Sequence, residues 1–365
     1  MGWFWFLFLN RIYQSPLLLS LYKFYKAVLR LTTHTTEIYR ISNSTAERLG
    51  WHQDNNEHDE TVDKEHDTVP LLKREPSFPD IEDAAAMIPV DAVYRIDRSI
   101  LYSKVLELER RELESSSCNV EELTDAIMTK KAFPLDESLK RPAACVLQAC
   151  LSRIASTYQL MHLVNERAHT KYDSTNPLHE QKLLKLWKCL MPDTELEARM
   201  TRQWGEIGFQ GNDPATDFRG MGLQGLDDLV YYASTHPESA QQTFLSSRHP
   251  VSWYPFAIVG INISQFAVQT LRTRQLQYYL FKYGCDKKMF SEFYCYLYHK
   301  FNAFWIAHDQ PRLTVMEFEA KFKEFKTQIN LELSIHEAMP LTEWLAQEQQ
   351  RQQEEEKQSI KQHVE

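Results

Sequence analysis

The 365-residue chain is 43% hydrophobic and 12% aromatic, enough apolar side chain for one large core or two modest ones, which excludes a chain disordered throughout. Its formal net charge of −9 and pI near 5.8 exclude the broad basic face of a general nucleic-acid binder, so no nucleic-acid partner is expected. Cys118, Cys145, Cys150, Cys189, Cys285 and Cys295 form no C-x-x-C pair and fall in hydrophobic helical patterns, as reduced core thiols of a cytoplasmic protein do.

Residues 1–50 read as an aromatic, helical N-terminal segment. The run Trp3 to Leu9 breaks at Asn10 and Arg11 and resumes at Pro16, with Lys23, Lys26 and Arg30 behind it. A signal peptide would carry positive charge ahead of its apolar run, and none stands there. Asn10, Arg11, Gln14 and Pro16 interrupt the run before it reaches the roughly 20 apolar residues that span a bilayer. Phe6 stands where a myristoylation signal has Ser or Thr. Two expectations remain for residues 1–31, peripheral contact with a membrane surface or a helix docked on the protein. Residues 51–79 are acidic and punctuated by proline, which predicts a disordered linker in which His52, His58 and His66 are solvated side chains.

From residue 80 to 335 the helical period predicts an all-α fold, a single irregular helical domain around a central glycine-rich loop. Leu147, Cys150, Leu151, Ile154, Tyr158 and Met161 recur at three and four behind Pro142, a residue suited to a first helical turn. Leu183, Leu184, Trp187 and Met191 continue the pattern until Pro192. Thr194 with Glu197 then reads as a capping box for a short helix that ends near Trp204. Three more amphipathic runs follow the glycines: Trp253 to Tyr283, Met289 to Trp305, and one through Phe318, Phe322, Phe325 and Ile329. A second capping box, Thr314 with Glu317, stands before the last of these. Strand-like alternation is scarce and no long repeat is visible. The Glu/Gln-rich tail, residues 336–365, lacks a coiled-coil seam and predicts a solvated helix or a disordered end.

Six of the ten glycines lie in the stretch Trp204 to Tyr232, WGEIGFQGNDPATDFRGMGLQGLDDLVYY. Dense glycine marks backbone that turns at positive φ or admits another surface closely. Gly220-Met-Gly222-Leu-Gln-Gly225 spells the dinucleotide fingerprint, but the turn sequence Asp213-Pro-Ala-Thr-Asp217 precedes it where a buried strand is required. A kinase glycine loop is excluded because no lysine-bearing strand, catalytic loop or DFG triplet follows. No G-x-S-x-G elbow or H-E-x-x-H pair is present. Asp227 and Asp228, adjacent on a helix, point apart, and Cys189 on an apolar helical face reads as inert core. Arg219 is the side chain that fits a chemistry, because a guanidinium offers fixed charge and a planar fork of donors suited to phosphate. Asp213, Pro214, Thr216 and Asp217 would stiffen the turn that presents it. The alternative is a structural arginine bonding loop carbonyls, the commoner role of a charged loop residue, and the residues leave both open.

The pattern Trp204-x-x-x-Gly208-Phe209-Gln210-x-x-x-Pro214-x-Thr216-Asp217-Phe218-Arg219-Gly220-x-Gly222, followed by Gly225, Leu226 and Leu229, resembles the signature of the ELMO domain. Its flanks, Leu186-Trp187-x-x-Leu190-Met-Pro-Asp193, Tyr254-x-x-Ala257-Ile-Val-Gly-Ile-Asn262 and Phe293-Tyr-Cys-Tyr-Leu297, are similar to the small ELMO-domain-containing (ELMOD) proteins. The match runs from about Asp91 to Ile329. This resemblance implies GTPase-activating activity toward Arf-family and Arf-like small GTPases in the GTP-bound form, with Arg219 at the position of the arginine that activity requires. Trp204, Gly208, Phe209, Gln210, Pro214, Thr216, Asp217, Phe218, Gly220 and Gly222 are then expected to bind the GTPase or support the loop. In the implied mechanism Arg219 acts in trans as an arginine finger. Nucleotide, Mg²⁺ and the water-orienting glutamine would belong to the GTPase, so no cofactor, metal or reaction of the chain's own is expected. The competing expectation is a non-catalytic adaptor that binds a GTP-loaded GTPase at membranes through Trp204, Phe209 and Phe218.

Overall fold

Helix starts follow side-chain chemistry along the chain. Ser15 Oγ accepts from Leu18 N–H in front of Pro16, Asn176 Oδ1 accepts from Leu178 N–H in front of Pro177, and Asp286 Oδ1 accepts from Met289 N–H. Each satisfies an amide left without a helical partner. The computed structural model describes residues 11–13, 15–51, 81–134 and 142–364. Within these the regular elements are helices, and the lone extended pairing is a bridge between Asp309 and Arg312. The fold is all-α, as the helical period implies.

Backbone contacts divide the chain into two units, residues 1–159 and 160–365. The first holds α1 (Pro16–Thr33), α2 (Glu37–Arg48), α3 (Ile81–Met87), α4 (Val90–Leu101), α5 (Glu107–Leu113), α6 (Val120–Lys130) and most of α7 (Pro142–His169). The Glu37 carboxylate ties three of these together, accepting from Tyr22 Oη at 2.5 Å, Lys26 Nζ at 2.6 Å and Ser99 Oγ at 2.6 Å. α1 buries no side chain; Leu17, Leu21, Phe24, Val28 and Leu31 stand exposed at alternating spacings of four and three. Residues 1–9, the aromatic part of the membrane expectation, and residues 52–79 of the linker lie outside the described residues. Trp51 corrects the linker's first position: it is buried, and its N–H closes the end of α2 on the Ala46 carbonyl at 3.0 Å.

The second unit is built around α9 (Gly222–Thr235), which follows α8 (Pro177–Leu190) and precedes α10 (Pro237–Ser247). Its Leu223, Leu226, Leu229 and Tyr232 are fully buried, as are Gln224 and Asp228. A helix apolar on most sides belongs inside, and α9 packs against α8, α11 (Phe256–Arg272) and α13 (Lys287–Ile306). Between the last two lies α12 (Gln277–Tyr283). The run Trp253 to Tyr283 is therefore two helices, broken where Arg274 adopts φ 60°. α14 (Phe318–Ser334) sets Phe318, Phe322 and Phe325 edge to face against Phe301 of α13. Its capping box forms, with Thr314 N–H donating to Glu317 Oε2 at 2.9 Å. The tail is helical as α15 (Leu341–Val364).

The other capping box does not form. Residues 194–201 are irregular, because the groups that would start a helix are taken: the Thr194 carbonyl accepts from Trp187 Nε1 at 2.8 Å, and Glu197 N–H donates to Gln203 Oε1 at 2.7 Å. None of the six cysteines forms a disulfide. Cys118 and Cys285 lie in connections instead of the helices expected for them.

Candidate functional site

Trp204 begins the glycine stretch inside a 3₁₀ turn, Arg202–Ile207, and has no exposed surface. Its Nε1–H donates to the Arg199 carbonyl at 2.9 Å. Its ring meets Trp187 edge to face at 5.5 Å and Phe209 at 6.0 Å. Phe209 continues to Phe218 at 5.5 Å, and Phe218 stacks on Tyr172 at 5.3 Å. Trp204, Phe209 and Phe218 are thus a buried aromatic chain beneath the loop, each contact adding about 0.5–1.5 kcal/mol beyond its buried area. They are not placed as partner contacts. Pro214 is buried as well.

Two glycines pin this loop to its neighbours. Gly208 sits at φ 87°, and a Cβ there would fall 2.3 Å from Phe256 N, while its carbonyl accepts from Ile258 N–H at 3.2 Å. The loop is pressed onto the first turn of α11 more closely than any side chain allows. Gly222 sits at φ 49°, and a Cβ would fall 2.4 Å from the Thr170 oxygen, which also accepts from Leu223 N–H at 2.9 Å. Gly220 meets open space.

A polar frame holds the presenting turn, Pro214–Arg219. Asp213 Oδ1 accepts from Ala215 N–H at 3.0 Å and from Arg199 Nη1 at 3.0 Å, and Arg199 Nε pairs with Glu180 of α8. Thr216 Oγ1 donates to the Asp213 carbonyl at 3.1 Å. Asp217 Oδ2 accepts from Gln210 N–H at 2.8 Å. Burial pushes the Asp217 carboxyl up, against the pull of that N–H and of Arg219. Arg219 is exposed, and its Nε–H donates to the Thr216 carbonyl at 2.7 Å. Its two terminal nitrogens enter no hydrogen bond or ion pair among the described residues. One nitrogen therefore tethers the side chain to the loop, and the fork stays open, which is the state phosphate recognition needs.

That fork stands at an open cleft of about 950 Å³ lined by Lys171, Tyr172, Phe218, Met221, Gln269 and Arg272, among others. Lys171, Tyr172 and Arg272 escape the sequence reading, because the cleft assembles from the segment after α7, the glycine stretch and α11. The two aspartates of α9 do point apart. Asp227 meets Arg167, Lys182 and Lys287 near the surface. Asp228 is enclosed with Gln224, whose Nε2 donates to it at 2.7 Å.

Residues 162–322 match the model of the ELMO/CED-12 family. Over 241 residues the chain is 38% identical to ELMO domain-containing protein 2 of Bos taurus, covering 65% of this chain and 80% of the relative. Over 230 residues it is 40% identical to ELMO domain-containing protein 1 of Bos taurus, covering 58% and 69%. It is also 34% identical over 244 residues to ELMO domain-containing protein B of Dictyostelium discoideum, covering 66% and 84%.

Proposed function

This chain belongs to the ELMO/CED-12 family, and on that premise we propose that it is a GTPase-activating protein for Arf-family or Arf-like small GTPases, with Arg219 as its arginine finger. The observation that carries the reading is the tethered Nε and open fork of Arg219 at the mouth of the cleft. In the GTP-bound partner this fork reaches the nucleotide and bonds the γ-phosphate oxygens as charge builds on them. Because that charge is greatest in the transition state, the contact speeds hydrolysis more than it tightens binding. The protein's remaining part is mechanical: buried aromatics and the Asp213 frame hold the turn so that little ordering is left to do when the partner arrives.

The test is single-turnover GTP hydrolysis on a panel of Arf-like GTPases, run beside thermal melts of each variant. Arg219→Ala is expected to remove roughly 10³-fold or more of the stimulated rate with an unchanged melt and little loss of GTPase binding. Arg219→Lys is expected to fail as well, since an ammonium keeps the charge but loses the fork. Full stimulation by a folded Arg219→Ala protein overturns the finger, whereas a wild-type protein that binds the GTP-loaded GTPase without stimulating hydrolysis leaves the adaptor reading.

The same proposal places the protein peripherally on a membrane through residues 1–31. Supporting it, α1 carries its exposed apolar stripe with Lys23 and Arg30 also exposed, the composition of an interfacial helix. No helix among the described residues is long and apolar enough to cross a membrane.

A further inference from the structure

The cleft beside Arg219 has a one-sided charge. Its lining includes His169, Lys171, Arg219 and Arg272 and no carboxylate, in a chain whose net charge is −9. Between these basic groups the floor is apolar, with Ala168, Phe218, Met221 and Val268. Such a local reversal of sign is the arrangement that attracts an acidic surface and turns it into register.

Arg272 is held in the same way as Arg219. Its Nε–H donates to Asn165 Oδ1 at 2.5 Å, and its terminal nitrogens, like those of Arg219, bond nothing among the described residues. Lys171 is exposed and makes no hydrogen bond or ion pair there either. Arg272 lies in the last turn of α11, where any cation favours the helix dipole. The dipole needs only charge, however, and does not account for a guanidinium whose plane is fixed by one bond while its fork is left free. A fixed and open fork is what bidentate carboxylate recognition uses.

We propose that Arg272, with Lys171, forms a receptor for an acidic segment of the GTP-bound partner, and that Arg272 is the positioning residue that sets the partner so Arg219 meets the phosphate. The inference rests on the GTPase-activating reading and adds the chemistry that selects the partner. Carboxylates of the segment pair with Arg272 and Lys171, and water leaves the neighbourhood of Arg219.

The experiment uses the full chain and an Arf-like GTPase loaded with a non-hydrolysable GTP analogue for binding, and with GTP for single-turnover rates. Arg272→Glu and Lys171→Glu are each compared with Lys323→Glu, an exposed position of α14 outside the cleft lining that makes the same change in net charge. The cleft variants are expected to weaken binding about tenfold or more and to flatten its salt dependence, while the rate at saturating protein falls far less than for Arg219→Ala. Arg272→Lys is expected to recover part of the loss. If Arg272→Glu binds like Lys323→Glu, the inference is overturned and the GTPase-activating reading stands. If wild type binds but does not stimulate hydrolysis, that reading falls, and the cleft variants still decide the docking site. Absence of binding by wild type to every GTPase tested overturns both. Loss of binding to phosphatidylserine vesicles with GTPase binding intact shows a lipid site and also overturns the inference.

Discussion

At the scale of single residues, Trp204 and Gly222 separate shape from chemistry. Trp204 is fully enclosed and bonded through its indole N–H, so Trp204→Ala is expected to destabilise the protein by about 3–5 kcal/mol, read as a shift in the denaturant midpoint. An unshifted midpoint would put the ring outside the core. Gly222→Ala is expected to lower the melting temperature clearly, because the methyl meets a backbone oxygen at a left-handed φ, whereas Gly220→Ala faces open space and is expected to melt like wild type. Equal melts for the two would contradict the close approach described here. These roles were only partly legible beforehand. An aromatic in a glycine-rich loop serves a core or a partner with the same letters, and only the burial of Phe209 and Phe218 decides between them.

Among the elements of the described residues, α1 is a long helix that buries no side chain. Replacing Leu21 and Phe24 together with glutamate is expected to abolish flotation with anionic vesicles and leave the melt unchanged, since α1 buries no side chain. Retained flotation would remove the membrane role of this stripe. At the other end, α15 is fastened by a carboxylate from α13: Glu292 Oε2 accepts from Thr342 N–H at 3.1 Å and Oγ1 at 2.8 Å, while its Oε1 faces His236 Nε2 at 2.9 Å. The polar composition of the tail shows that its length is solvated and hides this fastening, which depends on its first turns, where Leu341 is buried, Thr342 bonds Glu292, and Trp344 meets the His299 ring at 4.5 Å. The failed box at Thr194 teaches the converse. A capping pattern is local, and the Trp187 and Gln203 side chains outbid it from outside the pattern.

For the whole molecule, four groups of the second unit shape the response to pH. Burial pushes the Asp228 carboxyl up to about 7 from 3.8; its stabilising share is full below pH 3.8 and is lost as pH rises through 7. Burial pushes the His299 imidazole down to about 4 from 6.5; its share is full above pH 6.5 and is lost as pH falls through 4. The two slopes oppose each other between these limits. Burial also works against Asp227 and Glu292, but hydrogen bonds from Arg167 and Lys182 hold the first at about 2, and those from His236 and Thr342 hold the second at about 2. Their shares are full above their ordinary values of 3.8 and 4.5 and are lost as pH falls toward 2. The melting temperature is therefore expected to change little from pH 6.5 to 4 and to drop steeply below that. Asp228→Asn removes one opposing slope, so its decline should begin near pH 6.5; a profile as flat as wild type would show that Asp228 is ionised in the fold. At this scale the helical class and the place of the glycine loop were legible, because both are periodicities or breaks in one stretch of sequence. The cleft was not, since its cations come from separate segments, and neither was the division of the chain, which falls inside α7 where the apolar period runs on unbroken.

The edge-to-face pair of Trp187 and Trp204 also gives the loop an optical handle. Two buried indoles so close couple their transitions, and the near-ultraviolet circular dichroism they produce vanishes when fixed packing is lost. The difference spectrum between wild type and Trp187→Phe isolates that band from the other tryptophans. An inactive variant that keeps the band has lost its chemistry, and one that loses the band has lost the seat from which the chemistry is delivered.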